Sequence, residues 1–248
     1  MRGAGGGPAV SLAIDPAVVE RHPLILVGGV VASGLVPAAS VLAGRVEGDL
    51  RQELSSRGLK IETLASDPVI ADWRAAIAAS GLKASTYKGS VEQLVRRTLK
   101  SGPVRTGLPL VDVYCDVATR HLAPLGGYDV ARLPSPAVSL RLADPSTDRF
   151  LPLAGKEGDM PLTPQVVVYA AGPTVLCWAY NCRDSRETCL TEETEVAVFF
   201  GEAVTERQHA PLAEALAELA AVLTGAGAAV GPVVFADAGS PAVEVPAP

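Results

Sequence analysis

Apolar positions along this chain change period near its middle, and the change separates helices from strands. Residues 66–81, SDPVIADWRAAIAASG, carry the punctuation of a helix: Asp67 as N-cap, Pro68 at the first helical position and Gly81 as the stop. A second helix is predicted from Ser90 to Gly102 in GSVEQLVRRTLKSG. A third opens at Pro109 in PLVDVYCDVATRHL, where Leu110, Val111, Tyr114 and Val117 form one stripe that must pack on a sheet. After GGYD the pattern turns to short β-rich runs: AVSLRLA, RFLPLAG, QVVVYAA, TVLCWAY and EVAVFFGEAV. A last helix, RQHAPLAEALAELAAVLT, sets Leu212, Leu216, Leu219 and Leu223 on one face. Near the start, PLILVGGVV reads as a buried strand and SGLVP as the loop after it. Helices first and strands later favour an α+β fold over a regular βαβ alternation.

At 248 residues the chain is long enough for one full domain with tails. That domain is expected over residues 10–224. The Gly-rich residues 1–9 are expected to be disordered, and the Ala/Gly/Pro-rich tail 225–248 to wander. Residues 24–44 carry no charge, yet their glycines, serines and Pro37 are turn formers, so no membrane span is expected there. Cys115, Cys177, Cys182 and Cys189 form no CxxC pair and sit in or beside apolar runs, as reduced thiols of a cytoplasmic protein do. Neither a metal site nor a cofactor is expected.

Familiar catalytic signatures are missing: there is no GxSxG, no Walker loop and no HExxH. The three histidines, His22, His121 and His209, lie before a strand, at a helix end and in the last helix, which disfavours a His-based triad. Two features do suit chemistry. Directly after TVLCWAY comes the polar cluster Asn181, Arg183, Asp184, Ser185, Arg186, Glu187 and Thr188, the composition of a pocket mouth at a strand end and equally of a solvated hairpin. Between Lys83 and Arg105, six cations (Lys83, Lys88, Arg96, Arg97, Lys100, Arg105) face one acid, Glu92. That is a local +5 in a chain of net charge −6, with Tyr87 beside it as a stacking residue for a terminal base. A solvated helix face has the same look.

From Leu108 to Val204, the segments LPLVDVYCDVATRHLAPLGGYD, RFLPLAGKE and VVVYAAGPTVLCWAYNCRDSRETCLTEETEVAVFFGEAV occur in an order and spacing that resembles a known family. This is the B3/B4 domain, the editing module of the bacterial phenylalanyl-tRNA synthetase beta subunit. The chain is more similar still to the freestanding proteins made of that domain alone. The resemblance implies a single α+β domain of short β-sheets flanked by helices. It also implies aminoacylated tRNA as partner and trans-editing as function: hydrolysis of the ester of a wrongly attached amino acid. The alternative of another class is a tRNA-binding or amino-acid-sensing module without catalysis.

For such a substrate the polar cluster itself offers a pocket of Asn181, Arg183, Asp184, Ser185, Glu187 and Thr188. Asp184 would take the substrate ammonium, Arg183 an acceptor oxygen, and Ser185 or Thr188 a water. The turn Gly126, Gly127, Tyr128 and Asp129 would line the same mouth. Tyr87, Lys88, Arg96, Arg97 and Lys100 would meet the tRNA. The synthetase's pocket glutamate falls at Arg186 or Glu187 according to register, its histidine matches Gly126 or Gly127, and Cys182 stands where the freestanding branch has an aromatic residue.

Overall fold

Residues 166–171 show how the layers are built. Val167, Tyr169 and Ala171 belong to one core cluster, while Val166, Val168 and Ala170 belong to another. A strand buried on both faces loses the polar alternation of a half-exposed one, which is why QVVVYAA reads as an unbroken apolar run. The computed structural model describes residues 9–43 and 49–248. The expectation of disorder over residues 1–9 therefore lies outside the described residues, apart from Ala9.

The strands are β1 (Val10–Ile14), β2 (Leu26–Ser33), β3 (Leu125–Asp129), β4 (Ala137–Leu142), β5 (Val167–Ala171), β6 (Thr174–Trp178), β7 (Arg183–Asp184), β8 (Val196–Ala203), β9 (Ala229–Val230), β10 (Val234–Asp237) and β11 (Ala242–Val245). The helices are α1 (Pro16–Arg21), α2 (Leu35–Leu42), α3 (Leu50–Ser56), α4 (Pro68–Ala79), α5 (Ser90–Ser101), α6 (Pro109–His121) and α7 (His209–Gly225). One sheet has the order β11-β1-β4-β5-β6-β7, with β1 and β4 parallel and the other neighbours antiparallel. The second has the order β10-β2-β8-β3, all antiparallel, and β9 adds to the end of β2. Their facing sides share a core of Leu12, Leu140, Tyr169, Val198 and Phe200, among others. The outer side of the second sheet is covered by α2, α6 and α7 through Phe199, Tyr114 and the Leu212–Leu216–Leu219–Leu223 stripe. That makes an α+β arrangement of mixed sheets and helices, as the patterning predicts.

Four expectations need correction. SGLVP is not a loop: Gly34 turns the chain at φ 70° and α2 starts at once, because Pro37 falls in its first turn, where a backbone N–H has no helical acceptor. RFLPLAG forms no strand, only bridges from Arg149 to Thr174 and from Pro152 to Ser185, and a proline without an N–H cannot continue a ladder. GGYD is no turn but the buried strand β3, paired along its length with β8. The segment after residue 224 does not wander: β11 pairs with β1, β10 pairs with β2, and Ala236 and Val245 are fully buried between them. The domain thus runs past residue 224. The early strands β1 and β2, unlike a helices-first order, lie in the sheets beside strands from the second half.

Among the described residues, no helix is long and apolar enough to cross a membrane. Close packing replaces length here: a Cβ on Gly28 would come within 2.2 Å of a Leu216 methyl, so the missing side chain is what lets α7 lie on β2.

Candidate functional site

Between β6 and β7 the chain makes a corner that costs backbone strain. Ala179 and Tyr180 hold φ of 53° and 62°, a left-handed region that non-glycine residues avoid. What holds them is burial and a polar network around the next residue. Asn181 donates its backbone N–H to Glu202 at 3.0 Å and its side-chain amide to the same carboxyl. Tyr169 donates its hydroxyl to Glu202 at 2.8 Å, and Tyr128 donates to the Asn181 side-chain oxygen, Oδ1, at 2.9 Å. All four side chains are at most 5% exposed. The network joins β3 and β8 of one sheet to β5 and the β6–β7 corner of the other, and it fixes the direction in which Cys182, Arg183 and Asp184 leave the corner.

Gly126 is explained by the same network. A Cβ there would lie 2.5 Å from the Asn181 side-chain oxygen and 2.6 Å from the Tyr128 hydroxyl. We expect Gly126→Ala to force these groups apart and to cost about 1–3 kcal/mol, as overpacking of a dense core does. Urea denaturation checks it; an unchanged midpoint would show that the network tolerates the methyl group.

The corner opens onto a cleft of ≈ 900 Å³, which is continuous with solvent. Asn181, Cys182, Arg183 and Asp184 form one wall. Ser90, Gln93 and Leu94 from the start of α5 form the second, and Tyr114, Cys115 and Leu125 the floor. A strap, Pro152–Leu153–Ala154, runs along the rim and carries Leu153 with 56% of its surface exposed. Hydrogen bonds tie the strap to the polar loop. Leu153 N–H donates to Asp184 O at 2.8 Å, and the Arg186 guanidinium donates to Pro152 O at 3.1 Å and Gly155 O at 2.9 Å.

Burial pushes the Asp184 carboxyl up to about 6, against the opposing pull of a hydrogen bond with Cys177 and of the Arg183 charge. It is still mainly ionised at neutral pH, where an ammonium group would pair with it. Glu202 is pushed further, to about 8, again by burial, although Tyr169 and Asn181 both donate to it. The thiols Cys115 and Cys182 of the cleft, and Cys177 in β6 behind it, are the reverse of activated: burial raises Cys182 to about 11, and Cys115 and Cys177 well above the ordinary thiol value. A thiol held protonated is a poor nucleophile, so none of the three offers covalent catalysis. The histidines are elsewhere, with His22 bonded to the Tyr180 hydroxyl at 2.7 Å, His121 to Glu218 and His209 to Leu24 O.

The expected site residues divide accordingly. Asn181, Arg183 and Asp184 come together at the cleft. Ser185 is buried in the turn, donating to Leu151 O at 3.2 Å, and Thr188 is buried with its carbonyl accepting from Asp129 N–H; neither lines the cleft. Glu187 is exposed and also outside it, its N–H donating to Ser185 Oγ at 3.2 Å and its carbonyl accepting from Arg132 at 3.0 Å. Gly126, Gly127 and Tyr128 lie in the strand behind the site. Asp129 caps the following 3-10 turn through Ala131 N–H and accepts from Thr194, which is a structural task.

In the basic block, Arg96 is held by Glu92 at 2.9 Å, and Glu92, only 2% exposed, also pairs with Arg74. Arg105 is paired with Asp116. Tyr87 is half-buried edge-on to Trp178, and Lys88 donates to Ser85 O. Arg97 and Lys100 stand exposed on α5.

Sequence reasoning missed Glu202 and the α5 and α6 walls. A lone acid inside the apolar run VFFGEAV was the available signal for Glu202. The walls had none, since they meet the corner only through the fold.

A family model described as the B3/4 domain matches residues 57–215. Among solved structures, an N-terminal fragment of the phenylalanyl-tRNA synthetase beta-subunit from Pyrococcus horikoshii is similar at 12% identity and a TM-score of 0.41. The match covers 88% of this chain and 49% of that one, so the chain spans about half the length of that relative. The comparison with curated proteins gives no match.

Proposed function

The chain belongs to the B3/4 domain family, and from that premise we propose that it is a trans-editing deacylase, hydrolysing the ester of a mischarged amino acid on tRNA. The observation that carries the reading is the cleft at the strained corner. Asp184, ionised at neutral pH, stands beside Arg183 on one wall, with Leu94, Leu125, Tyr114 and Leu153 around the rest. An aminoacyl ester offers groups to match: an ammonium for Asp184, ester oxygens for Arg183 and a side chain for the apolar surfaces. Such an ester is already activated, so positioning it with a water and stabilising the developing oxyanion is a large part of what catalysis needs. Ser185 and Thr188, tied into the turn, do not enter the proposal.

The tRNA approach is supported by α5. Gln93 and Leu94 line the cleft, and Arg97 and Lys100 follow at helical spacings of four and seven from Gln93, exposed on the same stripe. They stand about 6 Å and about 10 Å along the helix from Gln93 at 1.5 Å per residue, where phosphates leading to the aminoacyl end would pass. On this reading Arg97→Ala with Lys100→Ala flattens the log–log salt slope of tRNA binding by up to about 2 and leaves stability nearly unchanged. Arg96 is the wrong residue for that test, because its removal strips a partner from buried Glu92. An unaltered slope would return α5 to an ordinary solvated face. The reading places the protein with charged tRNA, in the cytoplasm.

Purified protein incubated with a panel of mischarged tRNAs decides the function, with release of free amino acid as the readout. The non-catalytic alternative, a tRNA-binding or amino-acid-sensing module, is favoured by one observation: neither a histidine nor an activated thiol lines the cleft among the described residues. It replaces the deacylase reading if charged tRNA binds and nothing is released.

A further inference from the structure

A second, much smaller space lies behind the cleft, between α4, the start of α5, the Ala179–Cys182 corner and Glu202. Two buried donors belong to residues that line it, Trp73 Nε1 and Ser90 Oγ, and neither has a hydrogen-bond partner among the described residues. Trp73 is 6% exposed and Glu202 1%. Leaving a buried donor unpaired costs about 1–3 kcal/mol, and one bound water, which makes about three hydrogen bonds, would satisfy both donors on the residues that line this space beside Glu202. Ser90, Asn181 and Cys182 line both it and the cleft, so the two share these walls.

We propose that this cavity is a water site feeding the cleft and that Glu202 is the general base for the attacking water, an inference that rests on the deacylase reading. As the water oxygen bonds to the ester carbonyl carbon, one of its protons passes to a Glu202 oxygen. The tetrahedral adduct then breaks its bond to the ribose oxygen, which leaves with that proton, giving free amino acid and tRNA and restoring Glu202. A base is most effective when its pKa lies near the working pH, and burial has moved Glu202 to about 8. Its titratable neighbours come from several elements. Tyr169 on β5 donates to it, and Asp184 on β7 raises it by like charge. Tyr128, Cys177 and Cys182, from β3, β6 and the corner, are all held protonated by burial. Tyr180 is raised to about 12. Glu92 stands across the cavity, its charge met by Arg74 and Arg96.

Two measurements on the full chain test this. A high-resolution crystal structure should show an ordered water within hydrogen-bond distance of Trp73 Nε1 and Ser90 Oγ; a dry cavity overturns the water site. Single-turnover deacylation should rise with pH along a limb set by Glu202, and Glu202→Gln should lower the rate about 100-fold or more with little change in KM. Tyr169→Phe removes a donor to the carboxylate and should shift that limb to higher pH, a readout that a purely structural role would not move and one that decides alone if Glu202→Gln does not fold. A wild-type rate in Glu202→Gln, or a Tyr169→Phe profile superimposed on the wild type, overturns the role of Glu202. If the wild type releases amino acid from no charged tRNA, the deacylase reading fails and the base falls with it, while the crystal structure still decides the water site.

Discussion

Replacing Glu202 with alanine should cost this protein more than about 3 kcal/mol of stability, at roughly 1–3 kcal/mol for each buried donor left unpaired. The donors are the Asn181 N–H, the Asn181 amide and the Tyr169 hydroxyl. The side chain also gives the fold a defined pH dependence. Its folded pKa of about 8 lies above the ordinary 4.5 because burial penalises the charge. The folded state therefore keeps a proton that the unfolded chain has lost, and the associated stability is complete below pH 4.5 and lost as pH rises through about 8. Asp184 acts with the same sign up to about pH 6. His22, whose pKa is lowered to about 4 by burial, acts with the opposite sign below 6.5. Between pH 6.5 and 8 Glu202 is left to dominate, and stability should fall by about 2 kcal/mol at roughly 1.4 kcal/mol per unit. Glutamine at position 202 should flatten that fall. Urea denaturation at several pH values is the check; a wild type whose stability is level or rising across this window would contradict the buried carboxyl.

The second large effect belongs to the cleft wall. Arg183→Ala and Asp184→Ala, each shown to be folded, should lower deacylation by roughly ten- to a hundredfold, because each leaves a group of the aminoacyl end unpaired at about 1–3 kcal/mol. Affinity for uncharged tRNA should hardly change. Glu187→Ala belongs in the same assay as the register control. Its side chain is exposed and outside the cleft, so its rate should stay near that of the wild type. A loss as deep as that of Asp184→Ala would place the family's pocket glutamate there after all. Wild-type rates in both Arg183→Ala and Asp184→Ala would remove the cleft from the chemistry.

The sequence by itself settled what local chemistry settles. Asp67, Pro68 and Gly81 mark α4 because caps and stops act within one turn, and the Leu212–Leu223 stripe marks α7 because a helix repeats its face every three to four residues. The polar cluster after TVLCWAY was legible as a strand-end mouth, and Asn181, Arg183 and Asp184 do stand at the cleft. The same reasoning misjudged Gly126 and Gly127, since two glycines look alike in a turn and in a strand where a neighbour presses close. It also left residues 225–248 loose, since prolines mask short strands whose partners, β1 and β2, lie more than two hundred residues earlier. Only the tertiary structure decided which polar residues share a space. Ser185 and Asp129 sit within a few positions of site residues yet spend their side-chain hydrogen bonds on local structure, the Thr188 hydroxyl is buried away from the cleft, and Arg96 spends its charge on Glu92. Glu202 and Ser90, distant in the chain, reach the corner because two sheets and a helix bring them there. Adjacency along a chain fixes backbone conformation, but burial, proton affinity and shared walls arise from contacts between distant segments, and those exist only once the fold is formed.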